Sequence, residues 1–498
     1  MSLNFATVLR EAARAAPDRT CLVHDGRTVT YAELDDRSGR VASSLLALGL
    51  GAAAKVAVQL PNGPDFVALY FGVLRAGLTV VPLNPQLRER EVHHQLHDSG
   101  ASLLVTSGPF AAEAARAGDG LPAYALADGA PLPAGCRDLA LLYDAEPFDD
   151  LVPTSSEDTA VLVYTSGTTG RPKGAQLTHL QLVMNSAISG ALFGFGPDDV
   201  SLAVVPFFHV YGLSLIGVAV RYVSTLTVLP RFEPQAVLDV MERDGVTIVF
   251  GVPTMFHALL REDTSARDLR PFRLAVSGGA ALPGEVLRKV EERFGVLLLE
   301  GYGLSESCAT ATFNRSREDR RLLSIGKPVW GVDVHVVDAE GRRLKRGPEH
   351  VGELVVRGHN VMKGYYGDPV ATAEAVRDGW LHTGDLGYED EDGFLFVVDR
   401  KKDLIIRGGY NVYPREVEEV LYAHPSISEA AVLGRPDDRL GEEVVAVVSL
   451  RPGTHVTADE VVAFCRERLA AYKYPREVRV LDELPKGASG KILKKELR

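Results

Sequence analysis

Residues 159–174 have the sequence TAVLVYTSGTTGRPKG, in which an apolar stretch precedes a run of small hydroxyl residues and glycines. The apolar part predicts a buried β-strand. The small residues let the backbone curl and turn its N–H groups inward, where they and the hydroxyls can surround phosphate oxygens. Lys173 adds a positive charge. We therefore predict a phosphate-binding loop after a strand, with these contact residues: Thr165, Ser166, Gly167, Thr168, Thr169 and Lys173.

This loop differs from a Walker P-loop. Pro172 takes the place of the second Walker glycine, and Gly174 replaces the hydroxyl residue that binds Mg²⁺. A flexible Gly- and Thr-rich surface loop is the alternative interpretation. The complete string 164–174, which follows a strand and carries a lysine, favours phosphate binding over that alternative.

Strands and helices alternate on both sides of the loop, which predicts an α/β fold with largely parallel sheets. After about residue 320, short alternating strands with Gly and Asp between them predict an antiparallel barrel. Residues 399–409 are charged and rich in glycine, which predicts a hinge before a compact α+β module. The apolar strand candidates of the first part are 55–59, 79–84, 102–106, 159–166, 202–205, 225–229, 247–250 and 272–277.

Composition excludes several classes of protein. The net charge of -12 over 498 residues argues against a nucleic-acid partner or an anionic-membrane binder, because both need a basic surface. The four cysteines are scattered, which argues against a disulfide framework or a structural zinc site. The chain start lacks a signal-peptide core, and Arg221 interrupts the best apolar stretch. We therefore expect a cytoplasmic protein without an integral membrane segment.

Three further segments extend the pattern: GYGLSE at 301–306, WLHTGD at 380–385 and PKGASGK at 485–491. With the loop at 164–174, they occur in the order found in the adenylate-forming acyl-CoA synthetases, the AMP-binding superfamily that includes peptide-synthetase adenylation domains and luciferases. The sequence resembles this family over nearly its whole length. The resemblance implies that MgATP activates a carboxylic acid to an acyl-adenylate with release of pyrophosphate, and that coenzyme A then accepts the acyl group.

The resemblance also implies an architecture. The large N-terminal domain, 1–398, would contain two α/β subdomains and a small β-barrel. A hinge at 399–402, with Lys402 as the hinge residue, would lead to a small mobile α+β domain at 403–498.

A nucleotide site is implied as well. Tyr302 would pack against adenine, Ser305 would lie near the α-phosphate, and Glu306 would bind Mg²⁺, which prefers hard oxygen ligands. Asp385 would accept hydrogen bonds from both ribose hydroxyls, and Arg400 would be a second ribose contact. Ser305 departs from the usual threonine of the family but keeps the hydroxyl. The other implied nucleotide contacts are Gly278, Gly279, Ala280, Glu300, Gly301 and Gly303.

The C-terminal part resembles a lid that serves two half-reactions. Lys491 would stabilise negative charge as the carboxylate attacks the α-phosphate. Gly408 and Gly409 would lie on the loop that enters the site for thioester formation, where Gly409 leaves space for the pantetheine arm. No long insertion follows the hinge, which favours CoA as the acceptor. Lysine acetylation recurs in the family at the position of Lys491 and removes its charge, so a regulatory acetyltransferase is an expected partner.

The sequence also limits the acid. The segment around His209 lacks the acidic residue that would bind the ammonium group of an amino acid, and Ala258 and Gly301 stand where malonyl-type relatives carry arginines. We therefore predict an apolar acyl pocket at His209, Ala258 and Gly301. A medium- or long-chain fatty acid is preferred, because no signal for a phenol partner is evident. His209 is either a packed core residue or a catalytic group that positions the carboxylate.

Other functions stay open from the sequence alone. They are an aryl (cinnamate- or coumarate-type) CoA ligase, an enzyme that loads a carrier protein, a luciferase-like oxygenase, a disfavoured malonyl-CoA synthetase and a non-catalytic acyl-nucleotide sensor. A homo-oligomer is also left open. The retention of six expected site residues argues against the sensor: Thr165, Lys173, Glu306, Asp385, Arg400 and Lys491.

Overall fold

Two mainly parallel sheets form the framework of the N-terminal domain in the computed structural model, which describes residues 2–127, 131–165 and 171–498. In spatial order, the first sheet contains Lys327–Pro328, Thr312–Phe313, Leu297–Tyr302, Leu274–Ser277, Ile248–Gly251, Val200–Ala203, Thr225–Val228, Thr20–His24 and Arg27–Thr30. The second contains Cys136–Asp138, Ala123–Leu126, Ala101–Ser107, Lys55–Gln59, Thr79–Pro82, Thr159–Thr165 and Lys173–Thr178. The central strands of both are parallel, as predicted.

Helices cover these sheets, and local sequence determines where several of them begin. Thr30 and Glu33 exchange side-chain and backbone hydrogen bonds at one helix start, and Thr178 and Gln181 do so at another. No helix in the described ranges is both long and apolar enough to cross a bilayer. The N-terminal helices are Thr7–Ala15, Tyr31–Ala47, Pro64–Arg75, Glu89–Ser99, Gly108–Ala117, His179–Phe193, Val210–Arg221, Pro234–Arg243, Pro253–Leu259, Gly284–Phe294 and Pro369–Ala375, with 3-10 turns at Leu139–Tyr143 and Ser305–Ser307.

The third sheet is antiparallel and forms a half-barrel, in agreement with the expected small β-barrel. Most of its strands pair with strands that are close in sequence. Trp380–Glu389 lies between Gly352–Gly358 and Leu395–Arg400 and carries residues of the predicted ribose site. The strands are Val332–Val337, Gly352–Gly358, Trp380–Glu389, Val376–Arg377 and Leu395–Arg400.

The C-terminal part is a small α+β domain with its own buried core, which includes Ile405, Val432 and Cys465. A separate core is what allows a domain to move as a unit. Its strands are Tyr410–Val412, Ile405–Arg407, Gly441–Leu450, Ile427–Asp437 and Glu477–Leu481. Its helices are Pro414–Tyr422 and Ala458–Arg466, and a 3-10 turn covers Lys494–Glu496.

One strand at the phosphate loop was not predicted. Lys173–Thr178 pairs antiparallel with Thr159–Thr165, in register from Thr159 with Thr178 to Thr165 with Lys173. The loop therefore connects two neighbouring antiparallel strands, and the helix that begins at His179 follows only after the second strand. This geometry places Thr165 and Lys173 opposite each other at the mouth of the loop.

Candidate active site

The predicted ribose residues meet because two strands of the half-barrel are paired. Asp385 and Arg400 are direct partners across the antiparallel pair, and Arg400 Nε lies 3.2 Å from Asp385 Oδ1. The Tyr302 hydroxyl donates to the other carboxylate oxygen, Oδ2, at 2.6 Å. Burial raises the pKa of Asp385 above its usual value, and the positive charge of Arg400 acts in the opposite direction. An ion pair and a hydrogen bond therefore join Asp385 to Arg400 and Tyr302.

Lys491 reaches this group from the C-terminal domain. Its side chain lies over Gly279, where a Cβ atom would be 3.1 Å from Lys491 Cε. The preceding residue is held by the N-terminal domain, since the Thr254 hydroxyl donates to the Gly490 carbonyl at 2.7 Å. Burial lowers the pKa of Lys491 to about 8, with a further lowering by Arg400 and an opposing effect of Asp385. The lysine is therefore charged at neutral pH and loses its proton in mild alkali.

Glu306 and Lys173 are brought together by Tyr365. The Tyr365 hydroxyl donates to Glu306 Oε1 at 2.8 Å, and Lys173 Nζ lies 5.3 Å from the centre of the Tyr365 ring. Glu306 and its neighbour Ser305 lie in a 3-10 turn and are half-buried. The sequence analysis did not predict Tyr365. It lies in the string KGYYGDP at 363–369, where the two glycines indicate a turn but nothing in the string indicates a contact with Glu306.

The described residues at the phosphate loop include only its two ends. Thr165 ends one strand and Lys173 begins the next, in register with each other. The predicted contacts Ser166, Gly167, Thr168 and Thr169 lie outside the described residues.

Glu300 has a partner inside the protein. Its carboxylate accepts a hydrogen bond from the Leu282 backbone N–H at 3.0 Å, and the residue is 3% exposed. Burial raises its pKa to about 7. Glu300 therefore fixes the segment that directly follows Gly278, Gly279 and Ala280, and its predicted contact with the nucleotide stays a prediction.

Two glycines of the GYGLSE segment are required by packing. A Cβ atom at Gly303 would lie 2.0 Å from the Ala309 carbonyl oxygen, which is backbone and cannot turn away. A Cβ atom at Gly301 would lie 2.1 Å from the Phe313 ring. The Phe313 ring on the neighbouring strand therefore occupies the space where a side chain at position 301 would lie. Gly301 and Phe313 both line the cavity described next, so the expectation that Gly301 opens the acyl pocket stays a prediction.

A narrow cavity of about 40 Å³ adjoins the predicted nucleotide loops. Gly278, Gly279 and Gly303 line one part, and the aromatic rings of Phe193, Phe250, Phe313 and Tyr211 form much of the wall. These rings contact one another edge to face; Phe193 and Phe313 have centroids 4.9 Å apart.

His209 lines this cavity, as predicted, and also begins a helix. Its Nδ1 accepts a hydrogen bond from the Tyr211 backbone N–H at 3.2 Å. Burial, reinforced by Lys491, lowers the pKa of His209 to about 3, so the ring is neutral at physiological pH. Ala258 does not line the cavity in the described residues. It lies on the helix Pro253–Leu259, next to His257, which faces Ser428 of the C-terminal domain.

The residues predicted to form the hinge and the loop for thioester formation lie at the protein surface. Arg400 is the last residue of its strand, and the exposed Lys402 lies in the turn that follows. Gly408 and Gly409 form the tip of a hairpin with φ of 57° and 84°, a left-handed geometry that favours glycine at both positions. Both glycines are exposed, whereas Lys491 occupies the site.

A metal ion would have few protein ligands here. No group of three or more His, Cys, Asp or Glu residues that could hold one occurs in the described part of the chain. The Glu306 carboxylate would supply hard oxygen ligands beside the predicted phosphate loop. That suits Mg²⁺, which commonly binds through one or two carboxylates together with substrate phosphates and water.

Known proteins share both the sequence and the fold. A family model described as AMP-binding enzyme matches residues 9–366, and one described as AMP-binding enzyme C-terminal domain matches 416–491. A feruloyl-CoA synthase of an Amycolatopsis species is 40% identical over 98% of this chain and 96% of that protein. A long-chain-fatty-acid–CoA ligase of Bacillus subtilis strain 168 is 38% identical, over 99% of this chain and 93% of that protein.

A solved structure agrees over the full length. ATP-bound MatB from Rhodopseudomonas palustris is 34% identical, with a TM-score of 0.91, and the match covers 100% of this chain and 98% of that one. The site described above and these full-length matches lead to one conclusion: the chain belongs to the AMP-binding enzyme family and is one of its acyl-CoA ligases, as the sequence predicted.

Proposed function

We propose that the protein is an ATP- and Mg²⁺-dependent ligase that activates a compact aryl carboxylic acid and transfers it to CoA. The observation that carries this choice of acid is the small, largely aromatic-walled cavity beside Gly278 and Gly279. A feruloyl-CoA synthase among the relatives gives independent support.

The size of the cavity favours a short, flat acid. Its volume is about 40 Å³, whereas an apolar cavity that holds benzene has a volume of ~150 Å³. Any acid must therefore displace side chains on entry. A planar ring needs the smallest displacement, because it can slide between edge-on aromatic rings and gain stacking contacts. An extended alkyl chain needs a longer channel than this volume provides, and the rings of Phe193, Phe250 and Phe313 line the cavity.

The residues suit adenylation. In the first half-reaction a carboxylate oxygen attacks the α-phosphorus of ATP, and the bond to the pyrophosphate leaving group breaks as the new P–O bond forms. Lys491 would stabilise the charge that develops there, and the neutral His209 would position the acid without attracting its carboxylate away from phosphorus. Asp385 and Arg400 would hold the ribose, and Thr165 and Lys173 the phosphates. In the second half-reaction the CoA sulfur attacks the acyl carbon, and AMP leaves.

Magnesium would be held by Glu306 together with the substrate phosphates. The half-buried carboxylate has one oxygen oriented by Tyr365, which leaves the other for a cation. When bound, the ion would neutralise part of the negative charge on the phosphates. Lys173 Nζ lies over the Tyr365 ring, 5.3 Å from its centre, and adds a second positive group.

A fatty acid is the second candidate. It is the acid preferred from the sequence, and a long-chain-fatty-acid–CoA ligase is 38% identical over nearly the whole chain. For this function the aromatic cluster at the end of the cavity would have to open into a tunnel. Chain-length preference would then follow from the depth of that opening, at about 0.8 kcal/mol per buried methylene.

The deciding experiment measures pyrophosphate release from MgATP over a panel of acids, with and without CoA. The panel contains acetate, octanoate, palmitate, malonate, benzoate, cinnamate and 4-coumarate. Highest kcat/KM on an aryl acid, with CoA-dependent product release, is the expected result. Highest kcat/KM on octanoate or palmitate would overturn the choice of acid. Adenylation without transfer to CoA, but with transfer to a phosphopantetheinylated carrier protein, would overturn the choice of acceptor.

A further inference from the structure

We propose that Ser189 is a specificity-determining residue that hydrogen-bonds a polar substituent at the end of the acid remote from its carboxylate. The proposal rests on the proposed function in placing the acyl group in the cavity lined by His209 and Ser189. The proposal narrows the substrate to acids that carry a hydroxyl, a carbonyl or a similar polar group at the end remote from the carboxylate.

Ser189 has a buried polar group without a partner among the described residues. The residue is 4% exposed, lines the cavity, and its hydroxyl makes no hydrogen bond. A buried hydroxyl left unpaired costs free energy, so most are satisfied by protein, water or ligand. Ser186, one turn earlier, shows the ordinary solution, since its hydroxyl donates to the Val183 carbonyl at 2.9 Å.

The position of Ser189 along the cavity follows from how two helices pair. Asn185 contacts Ser214, Ser186 lies against Gly217, and Gly190 lies against Tyr222. In these contacting pairs the residue numbers increase together along both helices, so the helices run in the same direction. Along the helix axes, Ser189 therefore lies at the same height as Val218 and its neighbours. Val218 is nine residues after His209, which is about 13 Å along a helix axis.

The carboxylate end of the cavity is the opposite one. His209 is close enough to Lys491 for the lysine charge to lower its pKa, and Lys491 lies over Gly279 at the nucleotide loop. An acid whose carboxylate lies between His209 and Lys491 therefore points its other end toward Ser189.

Nearby polar groups do not satisfy Ser189. The Asn185 amide donates to the Cys308 carbonyl at 2.7 Å and to Thr310 Oγ1 at 3.2 Å, and its oxygen accepts from Ser214 at 2.5 Å. Both N–H groups of this amide are therefore engaged, its oxygen already accepts one hydrogen bond, and none of these bonds involves Ser189. Ser189, Ser214 and Thr310 all line the cavity, so one of its walls carries hydroxyls while the rest is aromatic or aliphatic. Such a wall matches a ring or chain with one polar substituent.

A site that hydrogen-bonds a substrate hydroxyl discriminates against the analogue that lacks it, because its own polar group is then left unpaired. We expect the wild-type enzyme to prefer 4-coumarate over cinnamate in kcat/KM by about tenfold or more. Ser189→Ala should bring this ratio close to one. The KM for ATP should stay at the wild-type value, because the cavity end is remote from the phosphate loop.

Ser186→Ala is the matched control. It removes a buried serine hydroxyl from the same helix, but Ser186 does not line the cavity. The control should keep the wild-type ratio. Thermal unfolding of both variants separates misfolding from specificity, and Ser189→Ala should unfold at or above the wild-type temperature, because it removes an unsatisfied group.

Two results would overturn the proposal: a ratio of kcat/KM for 4-coumarate to that for cinnamate near one in the wild type, or an unchanged ratio in Ser189→Ala.

Failure of the proposed function would give a different result, in which no aryl acid is a substrate. If aryl acids are not substrates, the same ratio is measured with 8-hydroxyoctanoate and octanoate. Loss of a hydroxyl preference in Ser189→Ala would then still support Ser189, and its persistence would reject it.

Discussion

The charge of Lys491 is the feature of the site most sensitive to its surroundings. The amine is half-buried between domains, with Arg400 disfavouring and Asp385 favouring the protonated form. Sequence motifs identified all three residues, because each lies in a short string with a fixed role. The balance between them could not be predicted, since it depends on a strand register that brings Asp385 opposite Arg400.

The first prediction concerns the separate half-reactions. Lys491→Ala should lower pyrophosphate release by about 10²–10³, the cost of removing one group that stabilises developing charge. Thioester formation from supplied acyl-AMP and CoA should persist, because the exposed Gly408–Gly409 hairpin, not Lys491, is proposed to serve that step. Equal loss of both steps would contradict this division.

The pH profile tests the same lysine without removing it. The pKa of Lys491 is lowered to about 8, so its charge is present below that pH and is lost above it. For the adenylation step, kcat/KM should therefore fall as pH rises through about 8. Lys491→Arg keeps its charge in this range and should lose the fall, whatever its absolute rate. A flat wild-type profile to pH 9.5, or the same fall in the arginine variant, would contradict the assignment.

The second prediction concerns Tyr365, which the sequence analysis missed. Its hydroxyl holds one oxygen of Glu306, in the manner of the outer groups that orient metal ligands. Tyr365→Phe should raise the Mg²⁺ concentration for half-maximal adenylation by about tenfold. Tyr366→Phe is the control, because Tyr366 packs against Lys55 instead. Equal magnesium dependence in both variants would place Tyr365 outside the metal site.

Elements were predicted to within a few residues where apolar runs are fully buried. The expected strands 225–229 and 102–106 correspond to Thr225–Val228 and Ala101–Ser107. Asp25 and Gly26, a dipeptide typical of tight hairpin turns, connect the antiparallel strands Thr20–His24 and Arg27–Thr30, and both have positive φ. Lys173–Thr178 was missed because its sequence, KGAQLT, has little apolar character, and pairing with Thr159–Thr165 decides its structure.

The third prediction concerns the stability of the sheet that contains Gly301. Gly301→Ala should destabilise the protein by about 1–3 kcal/mol, because its methyl group overlaps the Phe313 ring. Phe313→Leu should reduce that cost when the two changes are combined, and chemical denaturation of the single and double variants measures the coupling. Gly196→Ala is the control, since nothing lies within 4 Å of a Cβ atom there. Strictly additive effects would show that the ring does not occupy this space.

At the scale of the molecule, the two domains meet through a few polar contacts. His257 Nε2 lies 3.0 Å from Ser428 Oγ, Arg261 also contacts Ser428, and Arg415 donates to the Leu323 carbonyl. Burial and then Arg261 lower the pKa of His257 to about 4, so this contact is made by a neutral ring. The motifs predicted a mobile lid, but no motif predicts which contacts hold it, because they depend on surfaces distant in sequence.

The fourth prediction tests whether the lid must leave this position for the second half-reaction. A Cβ atom at Gly490 would lie 3.3 Å from Thr254 Oγ1, which is close enough for a cysteine pair at 254 and 490 to form a disulfide. In a Cys136→Ala background, which removes the one native cysteine that is not buried, the oxidised Thr254→Cys/Gly490→Cys enzyme should form acyl-AMP. Thioester formation should fall at least tenfold and recover on reduction, because the lid cannot present Gly408 and Gly409.

The single variants control for local damage in this experiment. Gly490 has φ of 79°, so a cysteine there costs about 1–2 kcal/mol of backbone strain and also precedes Lys491. Gly490→Cys and Thr254→Cys alone are expected to affect adenylation, through Lys491, more than thioester formation, and neither half-reaction should respond to reductant in the single variants. A drop that appears only on oxidation, and only in the second step, therefore reports the lid position. Unimpaired thioester formation in the oxidised enzyme would mean that one arrangement of the two domains supports both chemical steps.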